Sequence, residues 1–567
     1  MKILLTTFHA KYAHSSLALP SLAASCAEVA DCQAVIREYT VNEPRSHLLR
    51  RIIDERADLI AFSCYIWNIE LTLRIASDIK LISPDTIIVL GGPEASFGIF
   101  ELMHENPAID FVIKGEGEAT FQRLLTILKF CGDNFPGSEL ENTPNLFYRD
   151  QDDIAMGPHG KDNLILDSLP SPFQAGLVDL TKPLVYYETS RGCPFSCAFC
   201  LSSVEGRVRS YSMDRIKRDL LFLMERQVGQ IKLVDRTFNY DDRRAIDIWR
   251  FILEHNQGSR FHFEIAADLL SDSAIELLAQ VPPDIFHFEI GVQSADAETL
   301  RQVNRTSDLG RLWYVIRRLR AETAVELHLD LVAGLPGENF DGFITSLRKV
   351  MELQPHQIQI EPLKVLKGSP MREIARREGY RFSSFPPYAI LGTPWLSYDD
   401  ISRIETIGRL LDLFCNNGGF EASWQHLGTT HDRVAILASM ARQTGAELLA
   451  GRSLRRLYEL FAELTAHLLN DTERSMFLDA LFYDYCSREM PLQGKLPSFT
   501  PDWHCKGTWP KPGDLPSDVP IPANARVKSF RTVFQRNYRI EPAPAAATEI
   551  TFVYASSKDS GLSVHII

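Results

Sequence analysis

Cys193-Pro-Phe-Ser-Cys197-Ala-Phe-Cys200 decides how the rest of this 567-residue chain is read. It follows Pro183-Leu-Val-Tyr-Tyr-Glu-Thr-Ser-Arg-Gly192, an apolar run that reads as a buried strand ending in a glycine turn. Three thiols within eight residues, on a loop leaving a strand, can turn toward one point, as a soft iron or zinc site requires. The set is one ligand short of a closed site. A structural zinc or a four-cysteine cluster needs a fourth Cys or a His close by, yet the next Cys is Cys415. An iron-sulfur cluster with one open iron, waiting for a small-molecule ligand, fits the spacing better.

Cys-x3-Cys-x2-Cys, with the aromatic Phe199 just before the last Cys, resembles the cluster loop of radical S-adenosylmethionine (SAM) enzymes. The resemblance implies that Cys193, Cys197 and Cys200 hold a [4Fe-4S] cluster. It also implies that SAM binds the open iron through its amino and carboxylate groups, and that Phe199 lies near the adenine.

Downstream of the triplet, strand candidates recur in step: Leu184 to Thr189, Ile231 to Asp235, Phe261 to Ala266, Phe286 to Gly291, Val325 to Val332 and Ile358 to Leu363. Between them Ile216, Leu220, Leu223 and Met224, and then Leu312, Ile316 and Leu319, fall on single helical faces. Six strand-helix units are too few for an eight-fold barrel. They suit the partial (β/α)6 barrel of radical SAM enzymes, with its chemistry at the carboxyl ends of the strands. At those ends the resemblance implies cofactor contacts. Asp235 and Thr237 follow strand two, where the family holds the amino group of SAM, although the usual Gly-Gly-Glu is absent. Glu264 lies on strand three. Glu289, Gln293 and Ser294 resemble the segment that contacts ribose and carboxylate, Gly334, Leu335 and Pro336 the adenine side, and Pro362 to Pro370 the closing segment. Asp296, ahead of a short helix, reads as a cap.

Upstream, β-type runs at Lys2 to Phe8, Ala34 to Tyr39, Asp58 to Ser63, Thr86 to Leu90 and Ile109 to Ile113 alternate with helical spacing, as in a doubly wound Rossmann or flavodoxin-like α/β sheet. Special residues cluster where these strands end: Ser63-Cys-Tyr-Ile-Trp-Asn68, Gly91-Gly-Pro-Glu-Ala-Ser96 and Gly115-Glu-Gly-Glu-Ala-Thr120. Glycines there let a backbone approach a large ligand, and the helix N-termini beyond them supply N–H donors. Together the loops resemble the cobalamin-binding domain of B12-type radical SAM proteins, which implies cobalamin contacts from Ser63, Tyr65, Gly91, Gly92, Glu94, Gly115, Gly117 and Glu118. Domains that ligate cobalt from below carry Asp-x-His-x-x-Gly after the first strand, whereas this chain has Thr7-Phe-His9-Ala-Lys-Tyr12. Thr7 supplies no carboxylate to orient His9, so the resemblance implies cobalamin bound without a protein histidine beneath it.

These readings divide the chain into a cobalamin-binding-like domain at 1–131, a linker at 132–180 with a short hairpin near Asn145 to Arg149, a radical SAM core at 181–395, and a C-terminal domain at 396–567. That last part is helical by pattern (Ile401, Ile404, Ile407, Leu410 and Leu411; then Leu454, Leu457, Leu460 and Phe461) and ends in two β-type runs, Arg531 to Ile540 and Glu549 to Ala555, that suit a hairpin. His426, His431, His467 and His504 are too dispersed for a metal site.

A formal charge of −13 argues against a nucleic-acid binder that works by bulk electrostatics. No eighteen-residue apolar run occurs and the apolar N-terminus is too short for a signal peptide, so the expectation is a soluble, cytoplasmic protein with no membrane partner. Apart from the triplet the ten cysteines are scattered, which suits a reducing compartment and a single cluster. The function implied by the resemblance is reductive cleavage of SAM, with an electron from a flavodoxin- or ferredoxin-type donor, and cobalamin-dependent methyl transfer to an unactivated carbon of an unknown substrate. Ring-forming radical chemistry without methyl transfer, as in anaerobic magnesium-protoporphyrin ester cyclases, and a sensor without turnover are the rival readings.

Overall fold

The computed structural model describes residues 1–131, 137–151, 153–160, 164–204, 207–445, 451–515, 525–540, 543–557 and 561–567. By contact the chain divides into two compact units. One comprises residues 1–339, 353–355 and 362–397; the other comprises 340–352, 356–361 and 398–567.

The first sheet has seven strands in the order β2-β1-β3-β4-β5-β6-β7, where β1 is Lys2–His9, β2 Gln33–Thr40, β3 Leu59–Ser63, β4 Ile87–Gly91, β5 Phe111–Ile113, β6 Leu146–Asp150 and β7 Asp153–Met156. The first five pair in parallel, as the sequence predicts. Alternate residues of β1 serve opposite faces: Leu4 and Phe8 join the core with Ile75 and Leu90, while Ile3 and Leu5 join that with Phe121 and Leu124. A strand buried on both faces reads as one unbroken apolar run, which is why it is visible in the sequence. The hairpin β6-β7 lies in the stretch expected to be a linker, and it adds two antiparallel strands to the open edge. Residues 132–136, 152 and 161–163 of that stretch lie outside the described residues.

The second sheet holds six strands side by side in chain order: Val185–Tyr187, Gln230–Leu233, Arg260–Ile265, Phe286–Gln293, Glu326–Ala333 and Gln357–Pro362. The connecting helices start at clear N-caps, with Ser212, Asp241, Ser271 and Asp308 each accepting a backbone N–H from the first turn, worth about 1 kcal/mol apiece. Asp296 caps Ala297–Gln302 in the same way. One face of the sheet is covered by these helices. Trp249, on helix Asp242–His255, meets Phe238, Phe263 and Phe288 there, all fully buried. The opposite, inner face is only partly covered, and its residues alternate with the buried ones.

The second unit is mostly helical, with helices Tyr398–Leu411, Glu421–Thr430, Arg433–Gln443, Leu454–Thr465 and Asp471–Cys486 around a ring cluster of Phe414, Phe420, Tyr458 and Phe461. Its terminal strands Arg526–Phe534 and Thr548–Ser557 pair antiparallel, starting five residues and one residue earlier than expected, and a third strand, Gly561–Ile566, joins them. Residues 516–524, which include Pro516, Pro520 and Pro522, lie outside the described residues. His426 and His431 share Glu473, the first at its carbonyl and the second at its carboxylate, while His467 meets Ser439, and His504 meets Asp479 and Thr532. Among the described residues no helix is long and apolar enough to cross a membrane.

Candidate active site

The cysteine loop is fastened at three points. Ahead of it, buried Asp235 accepts the Thr189 N–H (3.0 Å) and both the Thr189 and Ser190 hydroxyls, with Arg244 at 4.0 Å. Its carboxylate is thus given to the end of the first barrel strand, and burial pushes its pKa up against those hydrogen bonds. Within the loop the Ala198 N–H donates to Val303 and the Ala198 carbonyl accepts from Met371, both at 2.8 Å. Arg305 completes the set: Nη2 donates to the Gly291 carbonyl at 2.7 Å and Nη1 lies 3.7 Å from Cys197 Sγ.

The donor set fits an iron-sulfur cluster. All three thiols are unpaired, and Cys193 Sγ stands 3.5 Å from Thr237 Oγ1. Burial raises the Cys197 thiol while the adjacent Arg305 guanidinium pulls the other way, favouring the thiolate a metal needs. Among the described residues the sulfurs do not converge on a point that a single ion could fill, but a cluster takes each thiolate at a separate iron.

Other residues expected at SAM lie within this loop or where the fourth and fifth barrel strands end. Phe199 is half-buried beside Cys200. Ser294 is fully buried and donates to Glu338 Oε1 at 2.7 Å, and Gln293 holds a left-handed φ of 68° at the strand end. Gly334 has φ 92°, with the Ile390 side chain where a Cβ would stand and its carbonyl accepting from Tyr380; Leu335 and Pro336 follow, both buried.

In the N-terminal sheet the three loops follow β3, β4 and β5 and are tied to one another. Buried Asn68 donates to Thr7 Oγ1 and to the Phe8 and Ser63 carbonyls, closing the ends of β1 and β3 together. Tyr65 stacks on half-exposed Trp67, ring centroids 4.5 Å apart. The Gly91 carbonyl accepts from Cys64; Gly92, with φ 96°, lies so close that an added Cβ would sit 2.7 Å from the Cys64 carbonyl. Ser96 donates to the Gly92 carbonyl and accepts from the Gly115 N–H. Gly115, φ 76°, faces open space, and Gly117 abuts Leu22. His9 is buried with Nε2 3.5 Å from Glu38 Oε1, while Thr7 donates to Ser63 and does not orient the ring.

The acidic residues of the glycine loops reach the barrel. Glu94 accepts from Tyr388 and pairs with Lys367 at 3.2 Å, and Gly368 beside that lysine lies against the Phe97 ring. Glu118 pairs with Arg191 at 2.7 Å, Glu116 with Arg191 at 3.3 Å and also with Arg209, and Glu188 with Arg191 at 2.7 Å while accepting from Tyr211. Burial raises the Glu118 carboxyl, but Arg191 more than offsets it and holds it below the usual range; for Glu188 burial wins. Arg191 lies two residues before Cys193. Neither Arg191, Arg305 nor Asn68 is singled out by the sequence, because their partners are remote in the chain.

The inner face carries two polar rows. In register across five strands stand Tyr186, Lys232, His262, His287 and Glu326; one pleat nearer the cysteine loop stand Glu264, Glu289 and His328, with Asp330 beyond. Glu289 accepts from Lys232 (2.9 Å) and His262 (2.7 Å), which hold its carboxyl well below the usual range against the opposing effect of burial. The His262 and His287 rings stack at 4.4 Å, and His287 Nδ1 meets Glu326 at 3.1 Å. Glu264 has Lys232 at 3.8 Å; burial raises its carboxyl, with Arg236 acting in opposition. From the N-terminal domain His14 meets the Tyr186 hydroxyl at 2.9 Å.

Comparison with known proteins agrees with this geometry. Residues 3–125 match the family model of the B12 binding domain, residues 187–350 that of the radical SAM superfamily, and residues 378–505 a protein of unknown function, DUF4080. The chain is 23% identical over 368 residues to the cobalamin-dependent radical SAM methyltransferase TokK of Streptomyces tokunonensis, covering 62% of this chain and 53% of TokK. It thus spans about half the length of the curated relatives it matches. Its fold is that of the cobalamin-dependent SAM radical enzyme OxsB, solved with aqua-cobalamin and SAM bound (TM-score 0.58, 15% identity, 85% of this chain and 78% of that one). It is likewise that of the methyltransferase TsrM from Kitasatospora setae, solved with cobalamin and a [4Fe-4S] cluster (TM-score 0.56, 15% identity, 68% and 78%).

Proposed function

We propose that this chain, whose residues 3–125 and 187–350 match the B12-binding and radical SAM family models, transfers a methyl group to an unactivated carbon of a small molecule by two-cofactor chemistry. The observation that carries this reading is the buried bridge from Glu116 and Glu118, on the loop after β5, to Arg191 beside the cysteine loop. It joins the crevice of the N-terminal sheet to the candidate cluster site within one compact unit. The similarity to TokK supports the same reaction class.

Cys193, Cys197 and Cys200 would hold the cluster, and the loops after β3, β4 and β5 would hold cobalamin. When bound, these groups supply one-electron cleavage of SAM and a transferable methyl group. In balance, a substrate C–H becomes C–CH3, one SAM ends as methionine and 5′-deoxyadenosine, and a second ends as S-adenosylhomocysteine. A flavodoxin- or ferredoxin-type donor gives one electron for each SAM. The chain's own residues position and shield. Asp235 fixes the strand that launches the cysteine loop, and Arg305 sets a positive charge beside Cys197 while tying the loop to the fourth barrel strand. Ser294, Gln293 and the Gly334 turn, at the carboxyl ends of the fourth and fifth barrel strands, would help to hold SAM.

The test is anaerobic reconstitution with iron, sulfide and cobalamin. The protein should gain visible cluster absorbance, retain cobalamin through gel filtration and release 5′-deoxyadenosine from SAM under reduction. Cys197→Ala should lose both absorbance and release; an unchanged spectrum overturns the cluster assignment. Cobalamin lost on the column overturns the methyl-transfer reading, and a product that lacks the SAM methyl group points instead to ring-forming radical chemistry.

A further inference from the structure

The two polar rows of the inner face say what kind of molecule belongs against them. Four carboxylates (Glu264, Glu289, Glu326 and Asp330) stand there with one ammonium, that of Lys232, and three imidazoles. Glu289 and Glu326 are engaged by neighbouring side chains. Glu264, in the row nearer the cysteine loop, has Lys232 at 3.8 Å and the Arg236 guanidinium within electrostatic reach. His287 gives Nδ1 to Glu326, and its buried Nε2 has no hydrogen-bond partner among the described residues. An apolar molecule seated on this surface would strip water from Glu264 and leave His287 Nε2, already closed to solvent, without a partner, a cost that hydrophobic contact does not recover on a face lined by these polar rows. A molecule that presents N–H or O–H groups would replace the water at Glu264 and give His287 Nε2 the partner it lacks.

Resting on the methyl-transfer reading, we propose that the substrate is a water-soluble small molecule rich in amine or hydroxyl donors, held by Glu264 and His287 on the inner face of the barrel sheet, and not a lipid or a flat apolar macrocycle. Glu264 takes a donor of the substrate close to the cysteine loop. His287 Nε2, fixed by the Glu326 bond to Nδ1, takes a second polar group one pleat deeper. The excess of carboxylates over cations makes an amine the best occupant nearest Glu264. Selectivity then follows from desolvation: a competitor that lacks either donor leaves a buried polar atom unpaired.

The experiment uses the reconstituted full-length protein, a reductant and SAM carrying a trideuterated methyl group. Small-molecule extracts of the source cells are split into water-soluble and chloroform-soluble fractions, and label is read by mass spectrometry. Label should enter a compound of the aqueous fraction. Glu264→Leu and His287→Phe, made separately, should each lower it by roughly tenfold or more, the loss of one charge-assisted hydrogen bond, while cluster absorbance and the urea midpoint stay as in the parent. Label confined to the chloroform fraction overturns the substrate class and leaves methyl transfer standing. An aqueous product unaffected by both variants overturns the assignment to the inner face. If 5′-deoxyadenosine forms and no label enters either fraction, the methyl-transfer reading falls, and this proposal with it.

Discussion

Glu118 and Arg191, 73 residues apart in the chain, face each other at 2.7 Å with the carboxylate almost wholly buried. The pair joins the loop after β5 to the residue two places ahead of Cys193, and Glu116 and Glu188 complete a ring of acids about one guanidinium. Replacing Glu118 by Ala leaves Arg191 with two of its three partners. Breaking a buried pair costs about 3–5 kcal/mol, and the remaining acids reduce that to roughly 2 kcal/mol. A urea melt of the apo-protein should show this loss, and reconstituted Glu118→Gln should keep its fold but take up less iron and release cobalamin faster on gel filtration. A variant that matches the parent in all three would show that the bridge positions nothing.

Asp235 is predicted to matter for the cluster loop rather than for SAM itself. Asp235→Ala leaves the Thr189 N–H and two hydroxyls, all buried, without their acceptor, at roughly 1–3 kcal/mol for each group that water cannot reach. Chemical denaturation should register at least about 2 kcal/mol, and iron incorporation should fall. In the fraction that does carry a cluster, the concentration of SAM needed for half-maximal 5′-deoxyadenosine release should stay within a few-fold of the parent value; a selective large rise would return Asp235 to the role of a SAM ligand.

At Gly92 the backbone holds φ 96° and a Cβ would stand 2.7 and 2.9 Å from the Cys64 carbonyl oxygen and amide nitrogen. Neither backbone atom can give way cheaply, so Gly92→Ala should cost roughly 2 kcal/mol or more and open the crevice between β3 and β4. Gly115→Ala, where a Cβ meets nothing within 4 Å, carries only the strain of its φ of 76° and should cost about 1 kcal/mol. Comparing thermal melts and cobalamin retention of the two separates damage to the fold from damage to the site.

A pH effect is expected from the second unit. Asp484 is buried and accepts the Ala422 and Ser423 N–H groups and the Ser423 hydroxyl, yet burial pushes its pKa up to about 7. Between the ordinary carboxylate range and that value the folded chain keeps a proton that the unfolded chain has released, so this group's contribution to stability falls as pH rises from about 4 to about 7. The full change is on the order of 4 kcal/mol. Asp484→Asn cannot ionise, so its urea midpoint relative to the parent should improve steadily over that window; parallel pH profiles would sink the assignment.

How much of this is legible in the sequence follows from what each feature depends on. The strands of the N-terminal sheet are visible because burial on two faces leaves apolar runs, those of the barrel because buried and polar residues alternate, and the cysteine triplet because its ligands are local. The hairpin β6-β7 is legible near Asn145 to Arg149, but its pairing onto the open edge of the first sheet is not, since the stretch around it reads as a connection. Asp235 shows the limit of strand-end reasoning: an acceptor placed there looks the same whether it serves a ligand or the neighbouring strand. Arg305 has no local partner, and Arg191 has only Glu188 close in the chain, its links to Glu116 and Glu118 being remote. One signal was within reach, the repeat of Phe-His-Phe-Glu-Ile at 261–265 and 286–290, which the sheet sets side by side in exact register. Only that pairing turns two separate histidines into a stacked pair.

The repeat also has an evolutionary consequence. Its phenylalanines, Phe261, Phe263, Phe286 and Phe288, are locked into the aromatic layer under the helices, whereas the histidines and glutamates between them, His262, Glu264, His287 and Glu289, look the other way and hold no helix in place. Constraint and freedom therefore alternate residue by residue along one backbone. A descendant of this chain could exchange the molecule it acts on through point changes at every second position, while the positions between them keep the scaffold shut.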